Sequence, residues 1–100
     1  MNRNTRVVCE EYKAWVRARG CCVCLMPPPS DPDHLKARGL GSGKRNDFTC
    51  IPLCRKHHQE RHSQRFKFGV DLWEVVSYQL IEFFADKDRR KNVKIEVSTK

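Results

Sequence analysis

The sequence predicts a small α+β fold in which two short extended stretches and a central helix lie between an N-terminal and a C-terminal helix. Three observations carry this reading. One hundred residues suffice for one domain and not for two independent cores. Apolar residues recur with helical spacing near both ends but not in the middle. The middle is broken by proline and glycine clusters and holds paired cysteines and histidines instead. With 39% apolar and 32% charged residues, the core is thin. A chain of this size buries only roughly 60–65% of its unfolded surface, so a further cross-link is expected.

Each element follows from local pattern. Val8, Tyr12, Trp15 and Val16 recur at i, i+4, i+7 and i+8, which predicts a first helix over roughly residues 5–19, with Cys9 on it and Gly20 as its stop. After GCCVC, the segment LMPPPSDP forbids regular structure and favours an extended path. Extended stretches are expected near residues 33–38 and 48–53, joined by RGLGSGKRND, a flexible basic loop built on Gly39, Gly41 and Gly43. A second helix should start around Pro52–Cys54, since proline is tolerated in a first turn, and run through the histidines. The third helix, 71–88, opens on a D-x-x-E cap at Asp71 and Glu74. It buries a wide face of Leu72, Val75, Val76, Leu80, Phe83 and Phe84, with Trp73 and Tyr78 also read as core. The tail alternates Val93, Ile95 and Val97, as an edge strand or a frayed end would. The whole is read as a single domain over residues 1–100, with a core at about 21–68, the helix at 71–88 and a basic tail at 89–100.

The net charge of +8 is concentrated. Residues 36–67 hold nine basic side chains against two acidic ones and include three of the four metal-capable histidine positions, His34 lying just before them. Such a field favours a polyanionic partner, most simply nucleic acid. The N-terminus shows no apolar leader, and no apolar run approaches the roughly 18 residues of a membrane span. The expected location is the cytoplasm, where six cysteines read as metal ligands or core thiols rather than disulfides.

Two ligand sets stand out. Cys21-x-x-Cys24 and Cys54-x-x-His57 are two knuckles, each offering two soft ligands from a tight turn. Together they suit one tetrahedral Zn²⁺ with no open position, hence a structural site. Cys22 and His58 are adjacent substitutes, and buried core thiols are the plainer alternative. Cys9 and Cys50 are read as core. In the second set, His58 and His62 share one helix face and Asp33 adds a hard oxygen. This mixed set suits Mg²⁺ or Mn²⁺, or Zn²⁺, with open positions. A finger using Cys21, Cys24, His58 and His62 is a further alternative, although its intervening segment is far longer than usual. His34 lies beside Asp33 and, as a neutral imidazole, is available to take a proton from water. Metal plus histidine base is a division of labour suited to phosphodiester hydrolysis.

At these residues, from Cys21 to His62, the chain resembles the HNH endonucleases, the ββα-metal (His-Me) finger nucleases built on a zinc-tied treble clef. DPDHL looks like the family's first-strand Asp-His, and PLCRKHHQERH looks like its L-C-x-x-C-H-x-x-x-H helix with His57 in place of the second cysteine. The run HLKARGLGSGKRNDFTCIPLCRKHHQERH is similar to small phage or prophage proteins of the recombination-associated Rap (NinG) kind. The resemblance implies that Cys21, Cys24, Cys54 and His57 hold zinc. It makes Asp33, His58 and His62 ligands of the catalytic metal and His34 the general base. One position departs from the pattern: where the family carries its central asparagine stands Thr49, with Asn46 three residues earlier.

The resemblance also implies DNA as partner, double-stranded or branched, with the finger helix against the minor groove. Arg38, Lys44, Arg45, Arg55, Lys56, Arg61 and Arg65 are candidate phosphate contacts, which give affinity and salt dependence rather than sequence preference. The leading expectation is a metal-dependent endonuclease of low sequence specificity or branched-DNA preference, in phage or prophage DNA recombination or processing. The alternative is a non-catalytic zinc-stabilised DNA-binding module or a subunit of a larger phage complex. A third reading is an interaction element built on helix 71–88, the face through which a homodimer would form.

Overall fold

A computed structural model of the chain describes residues 5–35, 46–63 and 71–99. Among them the protein is a small α+β fold of four helices and two two-stranded sheets. The glycine-rich loop at 39–43 lies outside the described residues, as do Lys36, Arg38, Lys44, Arg45 and Arg65.

The N-terminal segment divides in two. Residues Thr5–Val8 form β1, and a shorter α1 runs over Glu10–Arg17. Thr5, Val7 and Val8 are β-branched and better suited to a strand than to a helix start. A partner strand is also supplied, since β4 (Glu96–Thr99) pairs with β1 antiparallel from Thr5↔Thr99 to Val8↔Glu96. The tail thus ends in a paired strand, but of its alternating residues only Val97 lies in it, Val93 packs against the core, and Ile95 and Val97 remain exposed. Cys9 is extended at the head of α1 rather than within it. Glu10 and Glu11 favour the first turn, where the helix dipole is positive. The helix closes at Ala18, two residues before Gly20. Gly20 serves a close approach instead, because a Cβ there would lie 3.1 Å from the Met26 carbonyl oxygen.

The extended path after the first knuckle is pinned back onto the end of α1. Ser30 donates from its N–H to Arg17 O at 2.9 Å and from its hydroxyl to Arg19 O at 2.6 Å. From there β2 (Asp31–His34) pairs antiparallel with β3 (Cys50–Leu53), in the register Asp31↔Leu53 to His34↔Cys50. A short 3₁₀ turn, Asp47–Thr49, leads into β3, so the second extended stretch begins two residues later than expected. Pro52 lies in β3 opposite Pro32, not in a helical first turn. Its carbonyl points outward to accept from Cys22 N–H at 2.9 Å. This Pro–Pro pair therefore occupies the non-hydrogen-bonded kind of position, where a missing N–H costs the ladder nothing.

Directly after β3, α2 runs over Arg55–Ser63. It has no aliphatic face and is anchored through its histidines. The C-terminal helix is broken: α3 covers Leu72–Phe84 and α4 covers Lys87–Asn92. The break falls where Asp86 turns extended and caps a new helix, accepting from Asp88 and Arg89 N–H. Asp71 caps α3 by accepting from Trp73 and Glu74 N–H. On α3, Val76 and Phe83 are buried as expected, but Trp73, Tyr78 and Ile81 face outward at 44%, 65% and 69% exposure. An apolar stripe this wide exceeds what α1 and β3 can cover.

The core has two clusters. One joins Cys21, Leu35, Ile51, Leu53, Cys54 and Val76 around the β2–β3 pair. The other joins Cys9, Tyr12, Val16, Cys50 and Phe83 beneath α1, with Tyr12 and Phe83 in edge-to-face contact at 4.9 Å. Leu80 packs against both. Buried Gln79 ties α3 to each neighbour, donating to Cys50 O at 2.8 Å and to the Tyr12 hydroxyl at 3.2 Å. The result is a rigid base under the two short strands.

Candidate functional site

The first knuckle is a tight turn closed by Leu25 N–H to Cys21 O and by Cys21 N–H to Met26 O, with Leu25 in the left-handed region at φ 63°. The second is formed by the end of β3 and the first turn of α2, where His58 N–H reaches Cys54 O. These turns bring one atom each from Cys21, Cys24, Cys54 and His57 within 4.8 Å of one another. Cys24 Sγ lies 3.8 Å from Cys54 Sγ, while His57 Nδ1 lies 3.6 Å from Cys21 Sγ and 3.2 Å from Cys54 Sγ. Tetrahedral zinc with about 2.3 Å bonds to sulfur and about 2.0 Å to nitrogen has edges of about 3.8 and 3.5 Å. The cluster fits those edges and could hold a metal ion.

The thiols also separate chemically. Burial opposes ionisation of Cys21, but the N–H groups of Cys54, Cys24 and Val23, together with His57, outweigh it and bring the thiol down to about 6. Cys22 lies outside the cluster, and burial pushes it up to about 11; Cys50 is pushed up to about 12 by burial. Cys9 is likewise raised, chiefly by burial. Cys21 therefore differs by environment from the core thiols, and Cys22 is not among the ligand atoms of the cluster. Behind His57, Glu60 Oε2 lies 3.9 Å from Nε2.

The second set gathers on the neighbouring face. Asp33, His58 and His62 each bring an atom within 4.8 Å of the others, which fits a single cation held by one oxygen and two nitrogens. His62 Nε2 lies 3.1 Å and His58 Nε2 3.8 Å from Asp33 Oδ1. Asp33 is only 3% exposed. Burial disfavours its charge, yet Arg61 and the two histidines more than compensate and hold its carboxyl below the usual range. Arg61 donates to both Asp33 oxygens and to the His34 carbonyl. His58 is thus committed here and not to the sulfur cluster. Alongside lies a cleft of about 510 Å³ lined by Asp31, Pro32, Arg55, His58, Gln59 and His62.

Asp31 is a functional residue that the sequence reading passed over. It accepts from His58 Nδ1 at 3.0 Å and from Arg55 Nε at 3.1 Å. His58 foremost, with partial burial opposing and Arg55 helping, holds its carboxyl below the usual range. It stands two residues from Asp33, so strand alternation alone puts both carboxylates on one face.

His34 faces elsewhere, as its alternation with Asp33 requires. It joins Asp47 and Cys50, with Nε2 2.8 Å from Asp47 Oδ1. The two polar residues near the departed asparagine position both brace the turn ahead of β3. Thr49 donates from its hydroxyl to Asn46 O, and the Asn46 side chain accepts from Phe48 N–H. Of the basic residues, Lys56 is exposed, Arg55 is exposed but paired with Asp31, and Arg61 is engaged by Asp33.

No helix among the described residues is long and apolar enough to cross a membrane. Compared with curated proteins, the chain is 41% identical over 68 residues to the "Uncharacterized protein YdfU" of Escherichia coli (strain K12), a match covering 66% of this chain and 19% of that protein. No solved structure matches. Residues 2–82 match the family model described as "Protein of unknown function (DUF968)". That match spans well over half of the chain, including both ligand clusters, and the chain belongs to the DUF968 family.

Proposed function

We propose that this domain is a metal-dependent endonuclease of the ββα-metal finger (HNH) kind, with β2, β3 and α2 as its catalytic finger. A structural Zn²⁺ on Cys21, Cys24, Cys54 and His57 would make it treble-clef-like. The observation that carries the reading is the buried Asp33 carboxylate within ligand reach of His58 and His62, the two histidines that line the adjoining cleft, beside a separate sulfur-rich cluster. A chain that only bound DNA would need the sulfur cluster but not the oxygen–nitrogen one.

Asp33, His58 and His62 would hold Mg²⁺ or Mn²⁺, which would stabilise the charge that builds on the phosphate. The protein's own groups do the rest. Arg61 keeps Asp33 ionised as a ligand. Asp31 fixes the His58 ring through Nδ1, which leaves Nε2 toward Asp33. His34 takes a proton from water as the water oxygen bonds to phosphorus. The bond from phosphorus to the 3′ oxygen breaks, that oxygen takes a proton from solvent, and 5′-phosphate and 3′-hydroxyl ends result. Arg55 and Lys56, at the cleft mouth and on the exposed start of α2, contact the DNA backbone without reading sequence.

The test is cleavage of supercoiled plasmid and of a four-way junction with Mg²⁺ or Mn²⁺, comparing wild type with His34→Ala and Asp33→Ala. Cleavage abolished by EDTA and by either substitution, in protein that still holds one equivalent of zinc, is the expected result. Equal DNA binding by all three proteins without cutting would replace this reading with a zinc-stabilised DNA-binding module, a role compatible with a relative whose chain is much longer.

A further inference from the structure

The geometry points to Asp47 as the positioning residue of His34, a buried carboxylate that sets which ring nitrogen carries the proton. Its catalytic meaning rests on the nuclease reading above; the proton placement does not.

Asp47 is 2% exposed and both its oxygens are engaged. Oδ1 lies 2.8 Å from His34 Nε2, and Oδ2 accepts the Cys9 N–H at 2.8 Å. Lys13 Nζ stands 3.7 Å from Oδ2 and balances the charge. The Cys9 N–H belongs to the head of α1, so it would lack a helical partner otherwise. A carboxylate can only accept, so the proton of a neutral His34 ring must sit on Nε2. That leaves Nδ1, which has no hydrogen-bond partner among the described residues, as the basic nitrogen. The bond also prevents the ring from turning. Asp47 thus does for the proton acceptor what Asp31 does for the ligand His58, from a different part of the chain.

The arrangement makes a sharp prediction for Asp47→Asn. The single amide oxygen will be claimed by the Cys9 N–H, which has no other acceptor among the described residues, and the amide NH₂ will then face His34 Nε2 as a donor. The ring proton must move to Nδ1, with volume and fold preserved. Long-range ¹H–¹⁵N spectra of the imidazole rings, taken at pH 8 on zinc-loaded protein and assigned with His34→Ala, read this directly. Wild type should show the Nε2–H form, and Asp47→Asn the Nδ1–H form. Alongside, kcat for plasmid nicking should fall roughly 10²–10⁴-fold with KM unchanged.

A wild-type His34 that carries its proton on Nδ1, or exchanges between both forms, overturns the assignment without need of any variant. So does an Asp47→Asn protein with the wild-type ring spectrum and wild-type kcat. If the ring proton moves as expected but wild type cuts no DNA, Asp47 keeps its role toward His34 and the nuclease reading falls.

Discussion

Leu25 shows how a single residue can oppose its own backbone. It sits at φ 63° in the first knuckle with its side chain 81% exposed, so no packing compensates for the left-handed conformation. That conformation costs an L-residue about 1–2 kcal/mol, while glycine adopts it freely and loses more chain entropy on folding. Leu25→Gly should therefore stabilise the protein by about 0.5–1 kcal/mol, measured as a raised urea midpoint at unchanged slope. At this scale the sequence was partly legible. The Cys21–Cys24, Cys54–His57 and His58–His62 pairs could be read from spacing, because each pair lies within a tight turn or one helical turn. Asp31 was equally within reach through its period of two. Asp47 was not, since its partner His34 is 13 residues away and its other partner, the Cys9 N–H at the head of α1, is 38 residues away.

At the scale of elements, the C-terminal helix breaks where a side chain competes with the backbone. Asp86 accepts from the N–H groups of Asp88 and Arg89 at 2.9 and 3.1 Å and so opens α4 instead of continuing α3. The Arg89 N–H foremost, with slight desolvation opposing and the Asp88 N–H assisting, holds its carboxyl below the ordinary range. A carboxyl lowered on folding contributes stability that is full above its unfolded value, near 3.9, and lost as pH falls through the folded one. Helical chemical shifts at Lys87–Asn92 should collapse toward pH 2 while those of α3 persist, and Asp86→Ala should show the collapsed values already at pH 7. The division of residues 5–19 into β1 and α1 has a comparable origin. The β-branched residues lean toward a strand, and the segment 96–99, distant in sequence, supplies the partner that makes one.

Across the whole molecule, the aromatic cluster and the ligand clusters hold opposite sides of the β2–β3 pair. Phe83, 1% exposed, meets Tyr12, Trp15 and Phe84 within 5.4 Å and anchors α3 under the site strand. Truncating such a ring costs about 3–5 kcal/mol, a large share of the roughly 5–15 kcal/mol available to a domain. Phe83→Ala should leave the zinc-loaded protein folded with a lowered melting temperature, and the same variant treated with a chelator should show no cooperative transition in calorimetry. This division of labour explains why fold class was readable and the outer face of α3 was not. Helical periodicity reports an apolar stripe but not how much of it neighbours can cover, and Trp73, Tyr78 and Ile81 lie beyond the reach of α1 and β3.

The pairing of β1 with β4 sets Thr5 opposite Thr99, and facing residues on antiparallel strands stand about 4.5–5.5 Å apart. The unit therefore enters and leaves through one doorway. Spliced into a surface loop of a host protein, it would need neither long linkers nor a gap in the host's own packing. Such portability is a property of the backbone at its edge and is independent of whatever chemistry the cleft performs.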